Sequence, residues 1–152
     1  MTVESFSGEH RWLSNFWPAP IEYQGMSFPT TEHAYQASKS ADFEERQAIA
    51  QLATPGKAKR AGRRIRCPDT NFNKLNVMLE INRLKYRIPD LREKLLATGD
   101  SVIIEGNAWG DVFWGVCKGV GENHLGRILM QIRAEIAGAG AQPQFAREAA
   151  AS

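Results

Sequence analysis

Four polar side chains that could carry chemistry lie close together in one short segment: Glu32, Tyr35, Gln36 and Lys39. On an α-helix the spacing i, i+4, i+7 puts Glu32, Gln36 and Lys39 on one face, within roughly 60° of arc, with Tyr35 at its edge. A glutamate can move protons, and a lysine in a partly desolvated pocket can act as a Schiff-base nucleophile. A solvated helix face with a charge pair would show the same spacing, so both interpretations stay open.

Glu32 is expected in the first turn of that helix, since Pro29-Thr30-Thr31 provides a helix start. The helix macrodipole favours an ionised carboxylate there, which suits a residue that accepts protons or stabilises a developing cation. Burial against nearby aromatic rings would act in the opposite direction. Lys39 lies two turns further on, roughly 10 Å along the axis, and its long stem can bring the amine back toward the carboxylate.

A basic run crowds six cations into the ten residues from Lys57 to Arg66. On a continuous helix they would form two rows: Lys59, Arg63 and Arg66 on one face, and Lys57, Arg60 and Arg64 on another. Arginine forks bind phosphate oxygens in pairs, and a nucleic-acid backbone would also fit such a run. A solvated face is the alternative interpretation.

A glycine-rich segment precedes the last predicted helix. Gly119, Gly121 and Asn123 lie where exposed backbone N–H groups and the helix N-terminus predict an anion site. His124 replaces the final glycine of a GxGxxG fingerprint, so we infer no nicotinamide enzyme.

Aromatic side chains in loops favour a planar ligand, although isolated tryptophans more often belong to a core. Asp111 lies close to Trp114 in a long loop, and this pairs a second carboxylate with an aromatic platform. Long loops inside compact domains tend to be functional. Near the N-terminus further residues add stacking surface: Trp12, Asn15, Phe16 and Trp17.

Local signals predict the elements that must position these residues. A β-hairpin is expected from Ile21–Tyr23 and Met26–Phe28, because Gln24-Gly25 allows the positive φ of a tight turn. The best late strand is 101–105. Helices are predicted from Thr31, over about 43–52, from Thr54-Pro55, along a stripe from Leu75 to Ile88 that Pro89 ends, over 91–97 and over 125–136.

The totals place these elements in one domain. The chain has 152 residues, 43% of them hydrophobic and 24% charged, which is typical of a globular protein with one core. The expected fold class is α+β, a helix-rich single domain over residues 1–137 with a small β-hairpin or sheet. Residues 138–152 lose periodicity and are predicted to be a disordered tail.

Several classes of protein are excluded by what the sequence lacks. No apolar run approaches the roughly 18 residues of a membrane span, so no membrane partner is expected. Cys67 and Cys117 form neither a CxxC motif nor a disulfide framework, which predicts a reducing, cytoplasmic location. The scattered histidines show no metal-ligand spacing, so we predict no metal site.

Taken together, the motifs resemble the NADAR, or YbiA-like, family over about Phe6 to Ile136. Each motif alone is weak, but six in order at compatible spacing are specific. They are Leu13-Ser-Asn15-Phe16; Pro29-Thr-Thr-Glu32-His33 with Gln36-Ala37 and Lys39; Gly62-Arg63; Leu95 to Gly99 with Ile104-Glu105; Asp111 with Trp114-Gly115; and the segment 119–126 with Leu129-Met130 and Arg133.

The resemblance implies a YbiA-like α+β fold and an N-glycosidase without a cofactor, which cleaves a ribose C1–N bond to an exocyclic amine. It implies that Glu32 is the leading catalytic residue, with Lys39 and Asp111 as companions. The substrate-binding residues that it implies are Asn15, Phe16, His33, Gln36, Arg63, Trp114, Gly119, Gly121 and Asn123. Similar proteins often carry a tryptophan near Thr70, for which Phe72 is the candidate replacement here.

Two substrate classes follow from the resemblance. The preferred one is ADP-ribose attached to the guanine amino group in nucleic acid, with a cognate ADP-ribosyltransferase toxin as a candidate partner. The other is a phosphoribosylamino-pyrimidine intermediate of riboflavin synthesis. A module that binds ADP-ribose or NAD without cleaving it is a third hypothesis, against which Glu32 and Asp111 argue, because a pure reader needs no two carboxylates near an anionic ligand.

Overall fold

The computed structural model describes residues 1–151, and it describes side chains for residues 1–139. The strands are β1 (Thr2–Val3), β2 (Ile21–Tyr23), β3 (Met26–Phe28), β4 (Val102–Ile103), β5 (Gly106–Asn107) and β6 (Val116–Cys117). The α-helices are α1 (Thr31–Ala37), α2 (Phe43–Ala50), α3 (Pro55–Gly62), α4 (Lys74–Lys85), α5 (Pro89–Ala97) and α6 (His124–Ala151), and a 3₁₀ helix spans Gly8–Leu13. This mixture of helices and small sheets confirms the predicted α+β class.

Strands β2 and β3 form the predicted hairpin, with Ile21 opposite Phe28. The turn residues Gln24 and Gly25 have φ values of 51° and 78°, the positive pair that a tight two-residue turn requires. Buried and exposed side chains alternate along β2, and Ile21 and Tyr23 form the buried face. The hairpin packs against the core through this face.

The predicted strand over residues 101–105 is shorter in the structure. Only Val102–Ile103 pairs in parallel with β1. The N–H of Ile104 still donates to the carbonyl of Val3 at 2.8 Å, but the N–H of Glu105 donates to the side chain of Asn123 at 2.9 Å. The ladder ends because a side chain takes the place of a strand partner. Beyond it, β5 and β6 form a further parallel pair.

Helix α1 begins as predicted and ends earlier than its sequence pattern suggests. The Thr30 hydroxyl accepts from the N–H of His33 and caps the first turn. The helix ends at Ala37, where the Ser38 hydroxyl donates to the carbonyl of Ala34 at 2.7 Å. Lys39 therefore lies in the turn after α1, and the predicted i, i+7 helical relation to Glu32 is wrong.

Helix α3 is capped by Thr54 and has Pro55 in its first turn, as predicted. It ends at Gly62, with Arg63 as the C-cap. Arg64 and Arg66 lie beyond the helix, so the two predicted rows of cations do not continue through the whole run.

Pro89 begins helix α5 and does not end α4. Helix α4 already ends at Lys85, with Tyr86 as its C-cap, and Ile88 is the N-cap of α5. Proline suits a first turn because its missing N–H has no partner there anyway. The predicted apolar stripe therefore keeps Met78, which is buried, and loses Ile88.

Helix α6 contains the predicted helix over residues 125–136. Its inner face buries Leu125, Ile128, Leu129 and Ile132. The predicted tail, residues 138–152, lies mostly outside the described side chains, so its disorder and the domain boundary at residue 137 stay predictions.

Helix α1 lies at the centre of the fold. Every residue from Thr31 to Ala37 is buried, because α2, α3 and α4 all pack against this helix. A side chain on α1 is consequently held on a rigid, enclosed element. In the described part of the chain, no helix combines the length and the hydropathy that crossing a bilayer requires.

Candidate active site

A pocket of about 940 Å³ opens beside α1. Its walls come from the N-terminal segments 5–7 and 14–16, from α1 and the turn after it, from α3, and from the loop 105–114. Most of the predicted site residues line it: Asn15, Phe16, Glu32, Gln36, Lys39, Arg63, Asp111 and Trp114. Residues distant in sequence therefore converge on one cavity.

Glu32 lies on the floor of this pocket and is 7% exposed. Its Oε1 accepts a hydrogen bond from Nε2 of Gln36 at 2.8 Å. Burial raises the pKa of Glu32, while the bond from Gln36 and the charges of Lys59 and Lys39 act to lower it. Of the opposing influences expected from the sequence, burial is therefore the larger one in the structure. A carboxyl with a raised pKa can exchange protons closer to neutral pH.

Lys39 reaches the same pocket from the turn after α1. Its Nζ lies 5.1 Å from the ring centre of Tyr35. Partial burial lowers the pKa of Lys39; the charge of Glu32 opposes this shift and Arg63 adds to it. A lysine with a lowered pKa has more of its amine unprotonated at neutral pH, which is the nucleophilic form.

Asp111 lines the pocket and shapes its own loop. Its Oδ1 accepts from the backbone N–H groups of Phe113, at 3.1 Å, and Trp114, at 2.8 Å. The indole of Trp114 then packs edge-on against Tyr35, with ring centres 5.8 Å apart. Asp111 thus holds the aromatic wall in place, and its predicted catalytic role stays a prediction.

Four predicted binding residues do not line the pocket: His33, Gly119, Gly121 and Asn123. The ring of His33 lies 2.7 Å from the Thr30 hydroxyl and 3.0 Å from the carbonyl of Leu52. Burial lowers the pKa of His33. This side chain joins the start of α1 to the end of α2.

The segment predicted as an anion site, residues 119–123, lies outside the pocket lining, and its binding role stays a prediction. Gly119 has a φ of 78° in a tight turn between Cys117 and Val120. A side chain on Gly121 would overlap the carbonyl oxygen of Gly115. The Asn123 side chain bonds to the backbone of β4 and Glu105. These groups support the loop 105–114, one wall of the pocket, on the side away from the cavity.

Phe72, the candidate replacement for the tryptophan of similar proteins, lies outside the pocket lining. It packs edge-on against Tyr35 with ring centres 5.7 Å apart. Thr70 is exposed. Phe72 therefore supports Tyr35 from behind and presents no stacking surface to the cavity.

Sequence reasoning missed Glu105, Asn107, Lys59 and Trp109, all of which line the pocket. Glu105 stood in the quoted Ile104-Glu105 motif, and Lys59 stood four residues before Arg63 in the basic run, so both signals were present. Trp109 is 67% exposed and Phe16 is 43% exposed. These two rings give the pocket an accessible aromatic rim.

Helix α3 separates this pocket from a second groove. Lys59 and Arg63 face the pocket. The groove is lined by Lys57, Arg60, Arg64 and Arg66 together with Asp42, Glu44 and Glu45. None of these cations forms an ion pair with a described carboxylate. The basic run is thus divided between two surfaces.

Buried polar groups support the N-terminal wall. Oδ1 of Asn15 accepts from the Thr31 hydroxyl at 2.7 Å. Nζ of Lys85 donates to the carbonyl of Ser14 at 2.8 Å, and burial lowers the pKa of Lys85 to about 7. Among the described residues, no group of three His, Cys, Asp or Glu side chains is placed to hold a metal ion.

Comparison with known proteins places this geometry in context. The model of the NADAR domain family matches residues 4–137. The N-glycosidase YbiA of Escherichia coli (strain K12) is 36% identical over 138 residues, which cover 88% of this chain and 86% of that protein. The riboflavin biosynthesis protein VVA0006 of Vibrio vulnificus is 36% identical over 132 residues, covering 84% of this chain and 36% of that protein.

A solved structure shares the fold. The NMR structure of the E. coli protein YbiA superimposes with a TM-score of 0.80 at 34% sequence identity. The match covers 93% of this chain and 86% of that chain. The overall fold is therefore common to both proteins.

Proposed function

The chain belongs to the NADAR family, and from this premise we propose that its pocket removes ADP-ribose from guanine in nucleic acid. The E. coli relative, which matches 88% of this chain, is named an N-glycosidase. The general activity of the chain is therefore that of an N-glycosidase, a hydrolase. The bond proposed for cleavage joins ribose C1 to the exocyclic amine of the base. Such a substrate is made by an ADP-ribosyltransferase that modifies guanine. If that transferase is a toxin, it is the cognate partner of this chain.

The observation that carries the proposal is the size and lining of the pocket. Its volume of about 940 Å³ is near the upper end of the roughly 300–1,000 Å³ typical of ligand sites. A diphosphate needs cations, which Lys59 and Arg63 provide on one wall. Two heterocycles need flat apolar surfaces, which Phe16 and Trp109 provide at the rim.

The chemistry consumes one water and requires proton transfer. In the direct route, water attacks C1 and gives a proton to Glu32, while the C1–N bond breaks and the leaving nitrogen takes the electron pair and one proton. In the covalent route, the Lys39 amine first replaces guanine at C1 of the opened sugar, and water then hydrolyses the resulting imine. The lowered pKa of Lys39 supports the covalent route.

A second function is favoured by one of the comparisons. A riboflavin-named relative matches most of this chain, which supports the same bond cleavage in a phosphoribosylamino-pyrimidine. That substrate carries a single phosphate and a single heterocycle, so it would leave part of the pocket unfilled. Simple binding of ADP-ribose is less well supported, since opposite pKa shifts at Glu32 and Lys39 are typical of catalytic sites.

The test compares the two substrates on one preparation. The purified chain is incubated with an oligonucleotide carrying ADP-ribosyl guanine and, separately, with the phosphoribosylamino-pyrimidine. Mass spectrometry measures the released sugar and base. We expect the higher kcat/KM on the oligonucleotide. A clear preference for the pyrimidine would establish the second function, and turnover of neither would refute both.

A further inference from the structure

We propose that Glu105 is a second catalytic carboxylate of the pocket, which gives its proton to the amine that leaves C1. The inference rests on the proposed function and names a residue that its chemistry requires. The C1–N bond breaks with its electrons on nitrogen, and nitrogen takes the proton from Glu105. In the direct route, the water oxygen bonds to C1 and loses a proton to Glu32; in the covalent route, the Lys39 nitrogen bonds to C1 first and water follows. Glu32 then loses its proton to solvent and Glu105 regains one, so each turnover consumes one water.

The backbone of Glu105 is fixed from two directions. Its N–H donates to Oδ1 of Asn123 at 2.9 Å, and its carbonyl accepts from the N–H of Val116 at 2.9 Å. Asn123 is itself held by a bond from its Nδ2 to the carbonyl of Ile103 at 2.9 Å. The residue is therefore anchored where β4 ends.

The side chain of Glu105 is also positioned. Oε2 accepts from Nδ2 of Asn107 at 3.0 Å. A Cβ atom on Gly115 would overlap both Oε2 and the main-chain oxygen of Glu105, so the carboxyl lies directly against a glycine. Asn107, Gly115 and Asn123 come from separate turns of the chain and all serve this one residue.

One oxygen of Glu105 stays free for a ligand. Oε1 has no hydrogen-bond partner among the described residues, and the residue lines the pocket. Asp111 also keeps one oxygen, Oδ2, without a partner among the described residues, but its Oδ1 accepts from two backbone N–H groups and so holds the turn of its own loop. The side chain of Glu105 accepts a single hydrogen bond, from Asn107, and holds no such turn.

The surroundings of the two glutamates divide their roles. Burial raises the pKa of both. Each carboxyl also accepts one amide hydrogen bond, so the charged neighbours make the difference. Those that shift the pKa of Glu32 are two cations, Lys59 and Lys39. The pKa of Glu105 is shifted more by the negative charge of Asp111 than by the positive charge of Lys59. Cations favour an ionised Glu32, and a neighbouring carboxylate favours a protonated Glu105. Environments that differ in this way separate an acid from a base.

The experiment uses Glu105→Gln in the full chain, since glutamine keeps the volume and can still accept from Asn107. On the substrate that the wild type turns over, kcat should fall by about 10²-fold or more, with KM little changed. The wild-type rate should fall at high pH as Glu105 loses its proton, and this limb should vanish in the variant. Glu93→Gln, an exposed residue on α5, is the matched control and should keep the wild-type profile.

A second substrate separates acid catalysis from mere support of the loop. A less basic leaving amine departs without full protonation, so Glu105→Gln should lose much less on phosphoribosyl-4-nitroaniline. An equal loss on both substrates, or a wild-type pH profile in the variant, would overturn the inference. If Glu105→Gln does not fold, Glu105→Asp decides: a retained but shifted high-pH limb supports the role, and an unshifted one refutes it. An inactive wild type would refute the proposed function and not this assignment alone.

Discussion

Gln36 holds Glu32 through a hydrogen bond of 2.8 Å, while its own carbonyl oxygen is buried against Gly62 of α3 without a hydrogen-bond partner among the described residues. In this orientation the amide nitrogen of Gln36 donates to the carboxyl, and the amide oxygen faces α3. The packing of α3 on α1 is thus linked directly to the position of the proposed catalytic carboxyl.

Replacing Glu32 with glutamine should abolish turnover, because the change removes a proton acceptor at nearly constant volume. We expect a loss of at least about 10²-fold in kcat, measured by release of the free base. Wild-type turnover in this variant would exclude Glu32 from the mechanism.

The same substitution should alter the pH dependence of stability. Since the folded-state pKa of Glu32 is raised, its favourable contribution is complete below the ordinary glutamate pKa and is lost as pH rises through the folded value. Urea unfolding of Glu32→Gln should therefore lack this decline. An identical decline in both proteins would show that Glu32 is not the group responsible.

Gly62→Ala should impair catalysis without touching any ionisable residue. The new methyl would overlap the Gln36 amide and push it away from Glu32. We expect a lower kcat together with a lower unfolding midpoint. Gly56→Ala is the matched control on the same helix, since its nearest contact is the Thr54 hydroxyl at 3.9 Å; it should keep full activity and gain about 0.4–1 kcal/mol in stability.

Borohydride added during turnover should trap the sugar on Lys39 if the covalent route operates. Mass spectrometry should then find one adduct on that residue, absent in Lys39→Ala and retained in Lys94→Ala, a lysine of α5 outside the pocket. The absence of an adduct, combined with near-normal activity of Lys39→Arg, would show that the lysine acts only through its charge.

Substitutions on the two sides of α3 should have different effects on binding. Neutralising Lys59 and Arg63 should weaken binding of small phosphate-bearing substrates. Neutralising Arg60 and Arg64 in the second groove should leave those substrates unaffected and flatten the salt dependence of nucleic-acid binding, by about 0.7–0.9 in slope per lost contact. An unchanged salt slope would assign the groove cations to a solvated surface.

Activity should survive exhaustive treatment with EDTA. The mechanism proposed here uses only side chains and water, and no metal-ligand cluster exists among the described residues. Loss of activity that one divalent ion restores would contradict this expectation.

Local signals predicted local structure well. The Gln24-Gly25 turn and the Thr30 and Thr54 caps each depend on contacts within a few residues, so the sequence displays them directly. The end of α1 depends on distant residues instead. The carbonyl of Lys39 accepts from the N–H of Asp69 at 2.8 Å, and the N–H of Ala41 donates to the carbonyl of Cys67 at 2.7 Å, so the chain leaves the helix that the spacing of Lys39 suggested.

The contacts that form the pocket walls could not be predicted from local signals. Asn123 looked like part of an anion site because its neighbours are glycines, but its partners, Ile103 and Glu105, lie across the fold. Lys59 reaches the pocket only because α3 packs against α1, and a row of cations on one helix does not reveal which side meets the active centre. Long-range packing decided both outcomes.

The burial of α1 on all sides divides the site into a floor and walls that can change at different rates. A substitution on α1 disturbs the core, so the reacting groups that it carries are protected from drift. On the walls, exposed residues such as Trp109 and Phe16 have fewer neighbours to disturb, so they can be altered while the protein still folds. The same bond cleavage can thus be directed to a different substrate by replacing the residues that surround it.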